Sequence, residues 1–261
     1  MHALIQICRG PRRLAGVAVL CILAAPLWAA DEEPSATPYR PTVSNPADLS
    51  APGYFELEAG GQYQRGNTAT RRTSLPWLLK YAFTDRVGVV VGGEAWASET
   101  DPAGITTRGM GDTSLTFKFK QPLTDQSALG VEAGAKLATA SAPLGSEKTD
   151  YTLNGIYSTE IGRHHLDVNL SWTSLGAIVP GEGRNQLGWA AAVSHPFNDI
   201  WGGALELAGT TRQGAEDTAQ FLGALSYNWS KRVVLDGGAA FGLNKATPDV
   251  TVFAGAVVLL K

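Results

Sequence analysis

The sequence predicts an all-β protein, a transmembrane antiparallel up-and-down β-barrel of about 12 strands. Three observations carry this. Runs of about ten residues alternate apolar and polar side chains, as strands with two unlike faces do. The connections between the runs alternate between short and longer. The apolar phase of the first eleven runs holds no Asp, Glu, Lys or Arg, which an outside facing lipid requires.

The alternation is cleanest across residues 111–139. Thr113, Leu115, Phe117 and Phe119 share one face, opposed to Asp112, Ser114, Thr116, Lys118 and Lys120. After a polar turn, Leu129, Val131, Ala133, Ala135 and Leu137 oppose Gly130, Glu132, Gly134 and Lys136. These are the fourth and fifth runs. The first, 54–64, carries Glu56 and Glu58 on its polar phase. The second, 74–83, carries Lys80, and its Pro76 lacks a ladder donor, which predicts a bulge or irregular pairing. The third, 87–98, puts both Glu94 and Trp96 on the polar phase. Trp96 there is either a lumen constriction or the sign of a bulge that flips the phase. The sixth and seventh, 151–161 and 165–173, bring Glu160 and Asp167. The eighth is 186–195, and the ninth, 201–210, holds Glu206. The tenth is 218–229, and the eleventh, 233–243, holds Asp236. The twelfth, 250–260, is apolar on both faces, so its phase stays open.

Connections at 84–86, 121–126, 162–164, 196–200 and 230–232 are short; those at 99–110, 140–150 and 174–185 are long. The remaining three are intermediate. Short turns at one end and longer loops at the other are the pattern of an outer-membrane barrel, and runs of ~10 residues suit a tilted span. The aromatic residues of the apolar phase gather toward the two ends, as interfacial belts do.

Charged residues make up 17% of the 261, and the 30 glycines are dispersed through the runs. Residues 1–30 read as a signal peptide: Arg9, Arg12 and Arg13, an apolar stretch over 14–25, then Ala29 and Ala30 before Asp31. Both cysteines, Cys8 and Cys21, lie in it, so the mature chain has neither disulfide nor thiolate chemistry. Removing three of the 21 basic residues and no acid leaves 18 against 24, a net charge of −6. That balance offers nothing to a nucleic acid. Residues 31–50, rich in Pro, Ser, Thr and Asp, read as a flexible periplasmic tail, with a stopper folded into the lumen as the sharper alternative. The barrel is assigned to 51–261.

The polar phase would line the interior. Its charged candidates are Glu56, Lys80, Glu94, Asp112, Lys118, Lys120, Glu132, Lys136, Glu160, Asp167, Glu206 and Asp236. Antiparallel neighbours suggest Glu56 with Lys80, Lys118 with Glu132, and Asp112 with Lys136. Glu160 and Asp167 would meet as like charges and need a basic partner or a raised pKa. Small residues on this phase, such as Gly88, Gly92, Gly130 and Gly134, favour space inside.

No catalytic, metal or cofactor site is expected. His164, His165 and His195 fall at the short-turn end, and Ser194 and His195, adjacent on a strand, face opposite sides. His164-His165 is not metal-ligand spacing.

At Gly109–Lys120, GMGDTSLTFKFK, the chain resembles the family of outer-membrane transporters named after the meta-pathway of phenol degradation. Family members are similar over most of the mature length, with a Gly-Asp pair opening a strand that ends in a basic, aromatic run. The resemblance implies a barrel that passes small hydrophobic or aromatic compounds. The expected function is therefore passive passage of a small solute across the bacterial outer membrane. Expected partners are outer-membrane lipids, the barrel-assembly machinery and that solute. A non-conducting structural or surface-binding barrel, a lipid-modifying enzyme and a soluble β protein are the alternatives.

Overall fold

The computed structural model describes residues 33–66 and 70–261. The expected signal peptide lies outside the described residues. Among the described residues thirteen strands run in order: β1 (Phe55–Arg65), β2 (Arg71–Ala82), β3 (Val87–Thr100), β4 (Thr106–Gly109), β5 (Thr113–Thr124), β6 (Ser127–Leu137), β7 (Asp150–Ile161), β8 (His164–Ser174), β9 (Asn185–Pro196), β10 (Trp201–Arg212), β11 (Thr218–Ser230), β12 (Val233–Gly242) and β13 (Val250–Leu260). Each pairs antiparallel with its neighbour in sequence, except that β4 pairs only with β3 and β5 therefore pairs with β3. β13 pairs with β1 along its whole length, from Phe55 opposite Leu260 to Arg65 opposite Val250. Twelve strands thus close a ring in which no edge is left open, as lipid demands.

β4 is the thirteenth and was not evident from the sequence. Residues 99–110 read as a loop, but β3 runs on to Thr100 and Thr106–Gly109 folds back onto Ala97–Thr100. β3 therefore pairs with β5 along its lower half and with β4 along its upper half.

The junction between those halves explains Trp96. Ser74 opposes Ala97 and Pro76 opposes Glu94, so Leu75 faces two residues, Ala95 and Trp96. This is a bulge, and it lies where Pro76 removes a ladder donor. The extra residue flips the alternation, so Glu94 keeps the interior phase while Trp96 is exposed on the outside. Trp96 is not a lumen constriction. The phase of β13 is also settled: Thr251, Val257 and Leu259 are buried, while Val252 and Leu260 are exposed.

The outside is an apolar band. Phe117, Leu153, Leu170, Leu205 and Leu225 are all more than half exposed. Near the short turns the aromatics touch, Phe55 with Tyr81 at 4.8 Å and Trp201 with Tyr227 at 4.9 Å. Tyr63, Trp172, Trp189, Phe221 and Phe241 are exposed toward the long-loop end. Leu170, mid-strand and 67% exposed, tests this orientation. Leu170→Arg is expected to destabilise the barrel by about 2–4 kcal/mol, as a cation near the bilayer midplane does. The check is urea unfolding from lipid vesicles. Ser171→Arg, one residue on and facing the interior, should cost much less. Equal effects at both positions would refute the outward assignment of Leu170.

The interior inverts the usual core. Its largest fully buried side chains include Lys80, Lys118, Glu56, Glu58 and Glu206. Apolar packing inside is confined to small clusters, Ala47–Ala128–Ile156 and Leu222–Ala224–Ala240 with Phe253. Buried charge is tolerable only when paired and hydrogen-bonded.

Candidate functional site

The partner is the chain's own leading segment. Residues 33–50, expected as a flexible periplasmic tail, run inside the barrel. They enter beside the β11–β12 turn, where Ala36 N–H donates to Lys231 O at 2.8 Å and Glu33 pairs with Arg232 at 3.2 Å. They leave beside the end of β2, where Gly53 N–H donates to Ala82 O at 2.9 Å. Both points lie at the short-turn end, so the segment is a loop whose tip reaches mid-height. The reason it is not a tail is specific. It has little apolar surface to bury, but its backbone N–H groups meet carboxylates and amides aimed inward from the strands. Charge-assisted bonds of this kind are the stronger ones.

The contacts rise with the segment. Thr37 N–H donates to Glu56 at 2.9 Å, and Tyr39 and Arg40 N–H donate to Glu58 at 2.7 and 3.0 Å. The Arg40 guanidinium forks onto Asp236 through Nε and Nη2, each at 3.0 Å. It sits in a notch made by Gly60 and Gly255, which oppose each other across β1 and β13. A Cβ on either glycine would come within 3.0 Å of the guanidinium, so no larger residue fits without displacing it. At the tip, Glu206 accepts Val43 N–H at 3.0 Å, Ser44 N–H at 2.7 Å and Ser44 Oγ–H at 2.8 Å. Asn45 N–H donates to Asn169 Oδ1 at 2.9 Å, and Asn45 Nδ2 donates to Glu132. On the way down Ala47 N–H donates to Ser158 Oγ at 2.7 Å, and Asp48 pairs with Lys120.

Two lysines brace the floor. Lys80 Nζ lies 2.6 Å from Glu56 Oε1, contacts Glu58 and donates to Thr37 O at 2.6 Å. Lys118 Nζ lies 3.1 Å from Glu132 and donates to Pro46 O. Between them stands Tyr39, its ring 3.8 Å from Lys80 Nζ and 4.0 Å from Lys118 Nζ. A ring face between two desolvated ammonium groups is a strong cation–π arrangement.

The remaining candidates lie at the two mouths. At the long-loop end, Lys136 bridges Asp112 and Asp150, each at 3.0 Å. Asp112 also accepts Thr139, Ala140 and Ser146 N–H, which folds loop 138–149 inward. Burial works against the Asp112 carboxylate, but the N–H groups of Ser146 and Ala140 and the Lys136 ammonium outweigh it. They hold its carboxyl below the usual carboxylate range. Glu94 is joined at this rim by Arg72, which also binds Glu99. At the short-turn end, His165 stands between the two like charges: Nδ1 is 2.6 Å from Glu160 and Nε2 is 3.0 Å from Asp167. His195 stacks on His164 at 4.6 Å. Among the described residues no group of His, Cys, Asp or Glu could hold a metal ion.

Sequence reasoning named the carboxylates and lysines of the strands. It did not single out Tyr39, Arg40, Ser44, Asn45 or Arg72, nor Glu58 as a site residue, although Glu58 stood on the polar phase.

Two cavities flank the loop. An outer cup of about 660 Å³ lies above it, lined by Gln62, Gln64, Ser171, Gln220, Thr251 and Phe253 among others. An inner vestibule of about 580 Å³ lies below, lined by His165, Ser194, Ser226 and Asn228 among others. Arg40 and Pro41 line both cavities.

No protein-family model and no curated protein sequence matches the chain. Solved structures do. An outer membrane channel from Pseudomonas putida F1 is 16% identical with a TM-score of 0.64, over 82% of this chain and 98% of that one. The NanC porin is 11% identical with a TM-score of 0.54, over 78% and 99% of the two chains. The KdgM porin is 13% identical with a TM-score of 0.53, over 78% and 98%. At these identities the likeness establishes the fold, that of outer-membrane barrels.

Proposed function

We propose that this protein is an outer-membrane channel that passes small solutes passively, with residues 33–50 as its internal constriction. The observation that carries this reading is the pair of cavities meeting at Arg40 and Pro41. The segment they share is held by hydrogen bonds and ion pairs and only slightly by apolar packing. Polar contacts of this kind can exchange for water as a solute passes. The short-turn end, where the segment enters, faces the periplasm, and the long loops face outward. The resemblance at Gly109–Lys120 suggests hydrophobic or aromatic solutes. The chemistry of the cup favours another class.

A non-conducting barrel is the second reading, favoured by how fully the carboxylates Glu56, Glu58 and Glu206 are engaged by the loop. Planar-bilayer recording separates the two. The expected result is a small, resolvable unitary current from the intact protein, with solute entry into proteoliposomes. Silence in both assays would overturn the channel reading in favour of the non-conducting one.

A further inference from the structure

We propose that the outer cup is a binding site for a neutral, polyhydroxylated small solute, such as a mono- or disaccharide. The proposal rests on reading the lumen as a solute path and names the class of solute.

Charge narrows the class of solute first. Among the described residues lining the cup, only Arg40 and Glu132 are charged. Both are spent: Arg40 is forked onto Asp236, and Glu132 takes Lys118, Asn45 and Asn154. An ionic solute would have to break one of these pairs to gain a counter-charge, leaving a buried charge uncompensated. A neutral solute faces no such cost.

The uncharged lining is the second step. Gln62, Gln64 and Gln220 present three carboxamides, and Ser171 and Thr251 present two hydroxyls. Unlike the amides and acids of the loop contacts, these five side chains form no hydrogen bond within the protein among the described residues. A carboxamide offers two donors and an acceptor, and a hydroxyl offers one donor and two lone pairs. Vicinal hydroxyls on a solute both donate and accept, so they match such groups without any charge. A hydrophobic or aromatic solute would instead strip water from these amides and return nothing, a cost of about 1–3 kcal/mol for each unsatisfied group.

The third step is shape. Gln62 lies opposite Phe253 and Gln64 opposite Thr251, on the neighbouring strands β1 and β13. Two amides and a hydroxyl therefore stand beside the aromatic ring of Phe253. A sugar has the same duality, a C–H face that packs on a ring and a rim of hydroxyls. The cup's 660 Å³ falls within the range of about 300–1,000 Å³ typical of small-molecule sites. The ring is also fixed, packed against Leu222, Ala224 and Ala240.

Saturation-transfer NMR on the detergent-solubilised intact protein tests this without requiring conduction. Glucose and sucrose are the probes, with phenol and benzoate as challengers. Transfer to the sugars is expected, with neither challenger displacing them. Gln62→Leu/Gln220→Leu should weaken the apparent sugar affinity about tenfold, the size of one or two lost neutral hydrogen bonds. Folding of the variant is checked by heat-modifiable migration. If the variant does not fold, the displacement experiment on the intact protein still decides. No transfer to either sugar, or displacement of sugar by phenol or benzoate, would overturn the proposal. Because binding is read apart from passage, silence in both the bilayer and the proteoliposome assay with clear sugar transfer would refute the channel reading and leave the cup's specificity standing.

Discussion

Removing residues 33–50 is expected to raise the unitary conductance several-fold and to abolish its discrimination among small solutes. The segment occupies the lower half of the lumen and parts the outer cup from the inner vestibule at Arg40 and Pro41. Without it the two cavities merge into one water-filled path. Twelve strands enclose more room than the eight of a barrel whose interior side chains fill it, so the empty ring should conduct. The deletion also frees Glu206, Asp236 and Lys120 to line the path as charges. The current should then become more dependent on ionic strength. A gentler variant guards against misassembly. Glu206→Gln keeps the segment but replaces half of an acceptor pair that holds Val43 N–H, Ser44 N–H and Ser44 Oγ–H. Its new amide donors face those donors, so the tip should loosen and the current should flicker between a low and a higher level. A deletion variant that folds, as judged by heat-modifiable migration, yet conducts no better than the intact protein would refute the constriction.

How much of this was legible in the sequence depends on which interaction fixed each part. The β5–β6 hairpin was legible because every second residue of Thr113–Leu137 belongs to one solvent. Lipid and lumen sort the side chains, and the register follows, with Lys118 opposite Glu132. The bulge at Ala95–Trp96 was half legible. Pro76 announced irregular pairing and Trp96 a break in phase, but that β3 carries the extra residue is seen only in the β2–β3 register. β4 was not legible, because Thr-Thr-Arg-Gly has no alternation and is held by the end of β3. The loop inside the lumen left the weakest trace. Composition reports whether a segment can bury apolar surface, and this one cannot bury much. Its position is set by backbone N–H groups, which every residue except proline has, meeting acceptors as distant in sequence as Glu206. The acceptors were visible as a polar phase; their partner was named only as the alternative of a stopper, behind the flexible tail that composition favoured. The small residues of that phase pointed to space, and part of that space is filled. A Cβ at Gly130 would approach the Ala47 backbone at 3.1 Å, and one at Gly88 would meet Leu49 at 2.8 Å.

Replacing Lys80 should be the most damaging single change in the interior. Its side chain is 1% exposed, and its ammonium answers the carboxylates of Glu56 and Glu58, side chains that are themselves 0% and 1% exposed. It also donates to Thr37 O and lies over the Tyr39 ring. Lys80→Met keeps the length and apolar stem but leaves two like charges side by side with no counter-ion. Breaking a buried ion pair from one side costs about 3–5 kcal/mol, because the surviving charge stays desolvated. Two survive here, so the upper part of that range is expected, read as a shift of the urea midpoint in lipid vesicles. The two acids are not equivalent as rescuers. Glu58 holds Tyr39 and Arg40 N–H, whereas Glu56 holds only Thr37 N–H. Neutralising Glu56 removes the repulsion and sacrifices one loop contact; neutralising Glu58 sacrifices two. Lys80→Met/Glu56→Gln should therefore recover more stability than Lys80→Met/Glu58→Gln. The Glu58 double variant should also conduct more than the Glu56 one, since it has released more of the loop. If Lys80→Met unfolds at the same urea concentration as the intact protein, the triad does not brace the floor. If the two double variants recover equally, the loop contacts of Glu58 carry no weight in holding the constriction.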